Sequence, residues 1–238
     1  AFIGGAKEGP NRLWIRALAS EQAQPLAGTE NAQFPIWSPD GTSLAFYADG
    51  FLRRIDLSGG APRTISPTAN LAGGTWQGDA ILFSSNVMHS PIMRVSAGGG
   101  KAESVTELDV EAGETRHFAP SFLPDGDHFL YLAVGKASNS SEAANGLYVG
   151  SLSARTRKAL QPVGSNAQYA RGHLVFMDGT NLLAQPLDLD RLELTGRPTV
   201  IAEGVRVGGP ALVRGAFSVA GNGTLAFIHG LEGMRIPA

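Results

Sequence analysis

Few residues of this 238-residue chain stand in a pattern that could do chemistry. The glycine-rich stretch 96–101 is faintly similar to a phosphate-binding loop. However, Ala102 stands where a Ser or Thr should hold Mg²⁺, so a tight turn is the better interpretation. No G-x-S-x-G nucleophile elbow occurs, and there is no cysteine to act as a thiolate nucleophile. These observations predict no catalytic residues and no bound cofactor.

Metal-binding patterns are also weak. The acidic cluster of Asp188, Asp190 and Glu193 could hold Ca²⁺, yet it lacks the glycine and the ligand spacing of a calcium loop, which favours a solvated connection. The five histidines, which show neither H-x-H nor H-E-x-x-H spacing, are His89, His117, His128, His173 and His229. We therefore predict no metal site, although a site assembled from distant parts of the chain stays an alternative.

The most prominent carboxylates belong to a repeated phrase. Residues 37–41 read Trp-Ser-Pro-Asp-Gly and residues 122–126 read Phe-Leu-Pro-Asp-Gly, and a short apolar stretch follows each phrase. Proline presets φ at the first turn position, aspartate bonds back to the backbone, and glycine accepts a positive φ. Asp40 and Asp125 are therefore interpreted as turn formers between two strands rather than as a catalytic pair of carboxylates.

This turn is one part of a longer repeat. Aromatic residues close the strand after the turn at spacings of 44, 37, 48, 45 and 51 residues, and they are Phe2, Phe46, Phe83, Tyr131, Phe176 and Phe227. Each interval predicts four short strands, here named a, b, c and d, with the turn between a and b. One sheet with two apolar inner strands cannot bury both faces, whereas sheets packed radially can. The repeat therefore predicts an all-β fold, a β-propeller of four-stranded antiparallel blades.

Composition supports a single large domain. The 43% hydrophobic content can form a real core, and 31 Gly with 14 Pro suit many short strands. The net charge of −2 does not indicate a surface that attracts nucleic acid. No apolar run approaches the roughly 18 residues of a membrane span. Strand counting predicts five blades over residues 1–238, with one blade closed by strands from both termini. Six blades stay the alternative if the chain is a fragment of a longer propeller.

The repeated motifs resemble a known family. The Trp-Ser-Pro-Asp-Gly phrase, together with Leu-Ala-Phe at 44–46 and Ile-Asp-Leu-Ser-Gly-Gly at 55–60, resembles the TolB-type, WD-repeat-like propellers of bacteria. A closer resemblance is to the extracytoplasmic propellers of bacterial transmembrane serine/threonine kinases, and residues 13–18, 34–41, 122–126 and 192–196 carry it. It implies a sensor or partner-binding module for signalling, on the periplasmic or extracellular side of a bacterial membrane. The Ser-Pro-Asp-Gly phrase also occurs in propellers attached to serine peptidases.

The site prediction follows from the alternating direction of the strands. The a–b and c–d connections lie at one end of each sheet, and the d–a and b–c connections lie at the other. The second end carries the longer irregular segments, at 29–33, 109–117, 136–146, 164–168 and 204–214. Loops held by a rigid scaffold are the usual place for binding residues. We expect the residues just before strand a to line the mouth of a central channel: Glu30, Asn31, Gln33, Glu114, Arg116, His117, Asn166, Gln168 and Arg214.

Within this set, Arg116 and Arg214 would suit an anionic or carboxylate ligand, because a guanidinium group offers a planar fork of donors. The alternative, of equal weight, is that these polar residues only hydrate a solvent-filled channel.

Together these patterns predict a non-enzymatic propeller that binds a protein, peptide or small-molecule ligand at the loop-rich end, as a sensor or scaffold. We predict no nucleic-acid partner and no membrane insertion by this segment. Two alternatives stay open. One is the propeller domain of a larger enzyme, such as a serine peptidase whose substrate access it gates. The other is a purely structural module with a large exposed apolar patch.

Overall fold

The computed structural model describes residues 1–5, 9–68, 70–135, 146–161, 165–208 and 214–230. These residues form strands and turns and no helix, so they include no helix that is long and apolar enough to cross a membrane. Neighbouring strands pair antiparallel, and three of the seven sheets that the described residues form have four strands each. The predicted all-β class with four-stranded antiparallel sheets is confirmed.

The chain divides into two compact units. Unit 1 comprises residues 1–108 and 116–120, and unit 2 comprises residues 109–115 and 121–238. A single domain closed by strands from both termini, and a count of five blades, stay predictions.

Unit 1 contains three successive sheets whose strands follow one another in chain order. The first sheet contains β1 (Phe2–Gly4), β2 (Arg12–Ile15) and β3 (Gln24–Pro25). The second contains β4 (Gln33–Trp37), β5 (Ser43–Ala48), β6 (Phe51–Asp56) and β7 (Arg63–Pro67). The third contains β8 (Leu71–Gln77), β9 (Ala80–Ser85), β10 (Met93–Ser96) and β11 (Glu103–Ser104). The last two sheets each supply strands a to d, and the first supplies strands b to d.

Unit 2 continues the same order. Its first sheet contains β12 (Glu114–Phe122), which crosses the boundary between the units, β13 (His128–Gly135), β14 (Gly146–Ser151) and β15 (Arg157–Gln161). The next contains β16 (Ala167–Ala170), β17 (His173–Asp178) and β18 (Asn181–Asp188), with β19 (Glu193–Leu194) and β20 (Thr199–Ala202) both pairing with β18. Two ribbons follow, β21 (Val207–Gly208) with β22 (Arg214–Gly215), and β23 (Phe217–Val219) with β24 (Leu225–Phe227).

Strand b of unit 1 is buried on both faces, as the apolar stretches after each turn predict. Successive side chains of a strand point to opposite faces. In β5, Leu44 and Phe46 therefore pack against Leu13 of the first sheet, whereas Ala45 packs into a second cluster with Phe83 of the third sheet. Burying a side chain such as Phe46 contributes about 2–3 kcal/mol. Sheet-on-sheet packing is thus the source of the core.

Unit 2 repeats this arrangement. In β17, Leu174 and Phe176 belong to a cluster shared with the β12–β15 sheet. The alternate residues Val175 and Met177 belong to a cluster with Phe217 of the C-terminal ribbon. The period-two alternation read from the sequence is therefore the feature that decides which neighbouring sheet each residue contacts.

The a–b turn after β4 is closed by its own side chains. Ser38 Oγ donates to Asp40 Oδ1 at 2.6 Å, and the backbone N–H of Thr42 donates to the same carboxylate oxygen at 3.0 Å. The N–H of Ser43 donates to Ser38 Oγ at 2.9 Å, and Gly41 has a φ of 68°. Asp40 is therefore a turn former, as its position in the repeated phrase predicts.

These hydrogen bonds make the contribution of Asp40 to folding stability depend on pH. The bonds from Ser38 and Thr42 lower the pKa of the Asp40 carboxyl to about 2. A carboxyl with a depressed folded-state pKa stabilises the fold above its unfolded pKa of about 4, and this contribution is lost as the pH falls toward the folded value. We expect Asp40→Asn to flatten the loss of stability between pH 4 and pH 2 in urea titrations. An Asp40→Asn protein that keeps the wild-type slope between pH 4 and pH 2 would contradict the assignment.

Candidate functional site

The two ends of the sheets differ in how they are built. We call the end with the a–b and c–d connections the turn end, and the end with the b–c and d–a connections the loop end. Three sheets close the turn end with a hydrogen bond between an Asp and a Ser where strand b begins and strand c ends. These pairs are Ser43 with Asp56 (2.6 Å), Ser96 with Asp79 (3.1 Å) and Ser151 with Asp127 (2.7 Å). Sequence reasoning missed this recurring contact, which becomes visible only when the b–c hairpins are aligned in register.

The loop end holds most of the buried polar side chains. Among the described residues, nine of the twelve that are buried and polar or charged lie there: Thr29, Ser66, Ser84, Ser85, Glu114, Thr115, His117, Ser165 and Asn166. A buried polar group is costly unless it is hydrogen-bonded. The loop end is therefore specified by side-chain hydrogen bonding as well as by apolar packing.

Two threonines that follow strand d illustrate what these groups do. Thr29 Oγ1 accepts the backbone N–H of Leu13 at 3.1 Å, and Thr106 Oγ1 accepts the N–H of Ile92 at 2.9 Å. In both cases the hydroxyl binds the start of strand c, where a d–a loop passes a b–c loop. The fully buried His117 adds a contact of 2.7 Å between its Nδ1 and Thr106 Oγ1. These bonds hold the backbone of the loop end in one conformation.

In unit 1, two of the predicted residues lie in an exposed group of charged and polar side chains. Arg12 Nη2 lies 3.1 Å from Glu30 Oε1, and Asn31 Nδ2 donates to Asp49 Oδ1 at 3.0 Å. The other oxygen of Asp49 lies 3.8 Å from Arg53 Nη2. We call these five residues the loop-end cluster. Its side chains carry both signs of charge and remain accessible to solvent.

The other predicted residues of unit 1 differ in exposure. Gln33 is exposed and opens β4 opposite Tyr47. Arg116 is half-buried, with its guanidinium carbon 6.0 Å from the centre of the Phe118 ring. His117 is bound within the loop end by Thr106, as described above. The structure therefore brings Glu30 and Asn31 together, and gives His117 a supporting position behind the surface.

In unit 2, Glu114 is the centre of a buried ion pair. Its Oε1 lies 2.7 Å from Arg157 Nη1, and its Oε2 accepts the backbone N–H of Asp109 at 2.7 Å. Arg157 also lies 3.3 Å from the Asp109 carboxylate. The Glu114 side chain is only 5% exposed. Arg157 comes from strand d, far from Glu114 in sequence, and was not among the predicted site residues.

Two tyrosines extend this ion pair into the sheet. The Arg157 guanidinium lies 4.8 Å from the centre of the Tyr148 ring, which stacks on Tyr131 at 5.7 Å. Burial raises the pKa of Tyr131 to about 12, against the opposing effect of the Arg157 guanidinium. Four side chains, one from each strand of the sheet, thus form a continuous series of contacts: Glu114, Arg157, Tyr148 and Tyr131.

The remaining predicted residues of unit 2 contact the C-terminal ribbons. Asn166 Oδ1 accepts the N–H of Gly215 at 2.9 Å, and Gln168 Oε1 accepts the N–H of Val219 at 2.7 Å. Arg214 is half-buried in β22 opposite Gly208, and burial lowers the pKa of its guanidinium. Asn166 and Gln168 therefore bind backbone, and a ligand role for either one stays a prediction.

Some predictions are not tested by this arrangement. Arg116 and Arg214 belong to different units, so an anion site that contains both stays a hypothesis. The segments 136–145 and 209–213, which make up much of two predicted loops, lie outside the described residues. Within the described part of the chain, no group of three or more His, Asp or Glu side chains is placed to hold a metal ion.

Comparisons with known proteins identify the architecture. No protein-family model and no curated protein matches the sequence. Among solved structures, the chain is similar to one from the nidogen/laminin complex, with a TM-score of 0.61, 12% identity, and coverage of 93% of this chain and 82% of that one. It is similar to a putative TolB from Agrobacterium tumefaciens (TM-score 0.57, 16% identity, 77% and 66% covered). It is also similar to the extracellular domain of a putative hybrid two-component system from B. thetaiotaomicron (TM-score 0.54, 12% identity, 84% and 27% covered).

Enzymes are also among the similar structures. The chain spans 60% of a luciferin-regenerating enzyme (TM-score 0.53, 10% identity, 71% of this chain covered). It spans 62% of an oligogalacturonate lyase from Vibrio parahaemolyticus (TM-score 0.57, 12% identity, 85% of this chain covered). At sequence identities this low, similarity to a solved structure shows the fold alone. The fold is a β-propeller.

Proposed function

We propose that this chain is a non-enzymatic binding module that takes a protein, peptide or small-molecule ligand at its loop end. The observation that carries the proposal is the difference between the two ends. The turn end is closed by short Asp–Ser hydrogen bonds, whereas the loop end sets exposed charged groups on a backbone held by buried polar side chains. Groups held in place before binding lose little entropy on binding, so such a surface suits recognition.

The loop-end cluster indicates the chemistry of the ligand. It offers the guanidinium groups of Arg12 and Arg53 beside the carboxylates of Glu30 and Asp49. A guanidinium binds a carboxylate through two parallel N–H donors. A ligand that carries both signs of charge, as a short peptide does, can therefore exchange partners with both ion pairs.

The test compares two charge-neutral double variants of unit 1. Arg12→Gln with Asp49→Asn removes one charge of each sign from the loop-end cluster. Lys101→Gln with Glu103→Gln does the same near a c–d turn of the turn end. Ligands would be selected on the wild-type chain from phage-displayed random peptides and a panel of small zwitterions and dicarboxylates.

We expect the selected ligands to bind the wild type and the turn-end variant equally, and the loop-end variant at least about tenfold more weakly, since one charged hydrogen bond is worth about 1.5 kcal/mol or more. Thermal unfolding of all three proteins checks that folding is unchanged. A ligand weakened only by the turn-end variant would place binding at the other end and overturn the proposal.

We also propose that the module acts outside the cytoplasmic membrane, as a sensor or scaffold. The solved extracellular domain of a two-component system and the putative TolB, which have a similar fold, support this location. Protease added to spheroplasts of the producing cell should digest the chain while a cytoplasmic marker stays intact. Digestion that begins only after the cells are lysed would contradict the location without touching the binding proposal.

A further inference from the structure

The outermost strands of the sheets differ in how they protect their free edges. Natural sheets prevent edge-to-edge pairing with short strands, charged side chains or proline. Here β3 and β11 have two residues each, β7 begins with Arg63 and ends with Pro67, and β15 begins with Arg157 and Lys158. By contrast, β20 reads Thr-Val-Ile-Ala, without charge or proline. Among the described strands at the d position, it is the one without a charged residue or proline of its own, and Pro198 directly precedes it.

The side chains of β20 are also unusually exposed. Val200 is 46% and Ile201 is 44% exposed. Ile201 lies at a bulge opposite Leu182 and Leu183, and β7 has the same bulge at Ile65. There, however, Ile65 is only 4% exposed, because the next sheet of unit 1 covers it.

The backbone of that covered strand is also engaged. The N–H of Gly100, in the c–d turn of the following sheet, donates to the Ile65 carbonyl at 3.0 Å. The fold therefore normally covers this position, and no described residue of this chain does so at β20.

We propose that β20 pairs antiparallel with β20 of a second copy of this chain. Arg197 lies three residues before Val200, and Glu203 lies three residues after it, both exposed. Antiparallel pairing centred on Val200 therefore sets Arg197 of each copy opposite Glu203 of the other, about 10 Å from the centre on either side. Parallel pairing would instead set like charges side by side, which is unfavourable.

The pairing is two-fold symmetric, so each copy contributes the same surface and the contact closes after two subunits. Pairing centred on Val200 matches residues 199–201 of the two copies and sets Ala202 opposite Pro198. This short contact with two flanking ion pairs buries less than a standard interface, so the dimer is weak, with a dissociation constant on the order of 10–100 µM. Such an edge contact leaves the loop-end cluster of unit 1 unused, and it does not depend on the proposed binding function.

Cysteine crosslinking gives a direct test, because the chain has no cysteine of its own. Val200→Cys places the two thiols opposite each other at the symmetry axis, so we expect a disulfide-linked dimer under mild oxidation. The matched control Leu18→Cys, at a residue that is 82% exposed in the turn between β2 and β3, should crosslink at least about tenfold more slowly.

The flanking charges test the register. In the Val200→Cys protein, Arg197→Glu alone or Glu203→Arg alone should slow crosslinking about tenfold, because each change places like charges together at both ends of the pair. The protein with both changes should regain the crosslinking rate of the Val200→Cys protein. In the cysteine-free protein, Ile201→Lys should abolish the concentration-dependent dimer seen by sedimentation, while Leu18→Lys should leave it unchanged.

Three results would overturn the inference: crosslinking at Val200→Cys no faster than at Leu18→Cys, no rescue in the doubly reversed variant, or a wild-type chain that stays monomeric at millimolar concentration. Thermal unfolding of each variant separates these results from misfolding.

Discussion

Replacing Gly74 with alanine is expected to lower the free energy of unfolding by about 3 kcal/mol. Gly74 lies in β8 opposite Phe83, just after a bulge at Gly73. A Cβ at this position would collide with the carbonyl oxygen of Leu82, and would lie 2.7 Å from Ile36 Cδ1. The Leu82 carbonyl belongs to the backbone of β9 and cannot move aside without disturbing the sheet. The β4–β7 and β8–β11 sheets approach each other closely here, and only glycine leaves room.

Urea unfolding with a matched control measures this effect. Gly208→Ala also places alanine in a strand, but its Cβ would meet no heavy atom within 4 Å, so we expect no comparable loss. Adding Ile36→Val to Gly74→Ala removes Ile36 Cδ1 and should recover only part of the loss, because the contact with the Leu82 carbonyl remains. A Gly74→Ala protein as stable as the wild type would show that the two sheets do not meet this closely.

The strands could be predicted because their signals are local. Residues 199–202, which the repeat marks as a strand d, form β20, and residues 34–37, the strand a before a Pro-Asp-Gly turn, form β4 with Gln33 added at its start. The Pro-Asp-Gly turns and the period-two burial pattern both act over a few residues. Repetition then corrects errors, because a doubtful strand in one repeat can be aligned with a clear strand in another.

The bulges of strand a could not be predicted in the same way. Phe34, Gly73 and Ala119 lie at equivalent positions of β4, β8 and β12, each three residues before the aromatic residue near the end of the strand, and all three have a positive φ. Glycine, which adopts this conformation readily, stands at only one of the three positions. For Phe34 and Ala119 the surrounding sheets impose a φ that the residue itself disfavours by about 1–3 kcal/mol.

The candidate site stays a prediction, and the partners that its residues have within the protein could not be predicted from the sequence. Glu114 was chosen as a polar residue just before strand a, and the structure gives it Arg157, 43 residues away, as an ion-pair partner. Asn166 similarly binds Gly215, 49 residues away. A carboxylate or an amide looks the same in a sequence whether it binds a ligand or the protein itself. Only the position of its distant partner decides between the two roles.

Breaking the Glu114–Arg157 pair is expected to have the second large effect on stability. Removing one partner of a buried ion pair costs about 3–5 kcal/mol, because the other charge stays buried without compensation. Arg157 is 31% exposed and Glu114 only 5%. After Glu114→Ala, water can therefore reach the guanidinium, and we expect a loss of about 2 kcal/mol. After Arg157→Ala the carboxylate stays buried, and we expect a loss of at least about 3 kcal/mol.

Two comparisons separate the charge effect from the loss of packing on Tyr148. The double variant Glu114→Gln with Arg157→Met leaves no buried charge, keeps most of the volume, and should recover much of the stability lost in Arg157→Ala. The exposed pair Lys158–Glu193 supplies the control, since Glu193→Gln should leave the unfolding midpoint in urea unchanged.

The stability deficit of Arg157→Ala should also depend on pH if the ion pair is its cause. In Arg157→Ala, the buried carboxylate of Glu114 keeps the Asp109 N–H but loses the Arg157 charge, and we expect its folded-state pKa to rise above its unfolded value. A raised pKa means that the stability is present at low pH and is lost as the pH rises through the folded-state value. The deficit of Arg157→Ala relative to the wild type should therefore shrink on acidification, whereas a deficit caused by lost contact with the Tyr148 ring would not change with pH. A deficit that is constant from pH 4 to pH 8 would show that Arg157 acts by packing and that the ion pair contributes little.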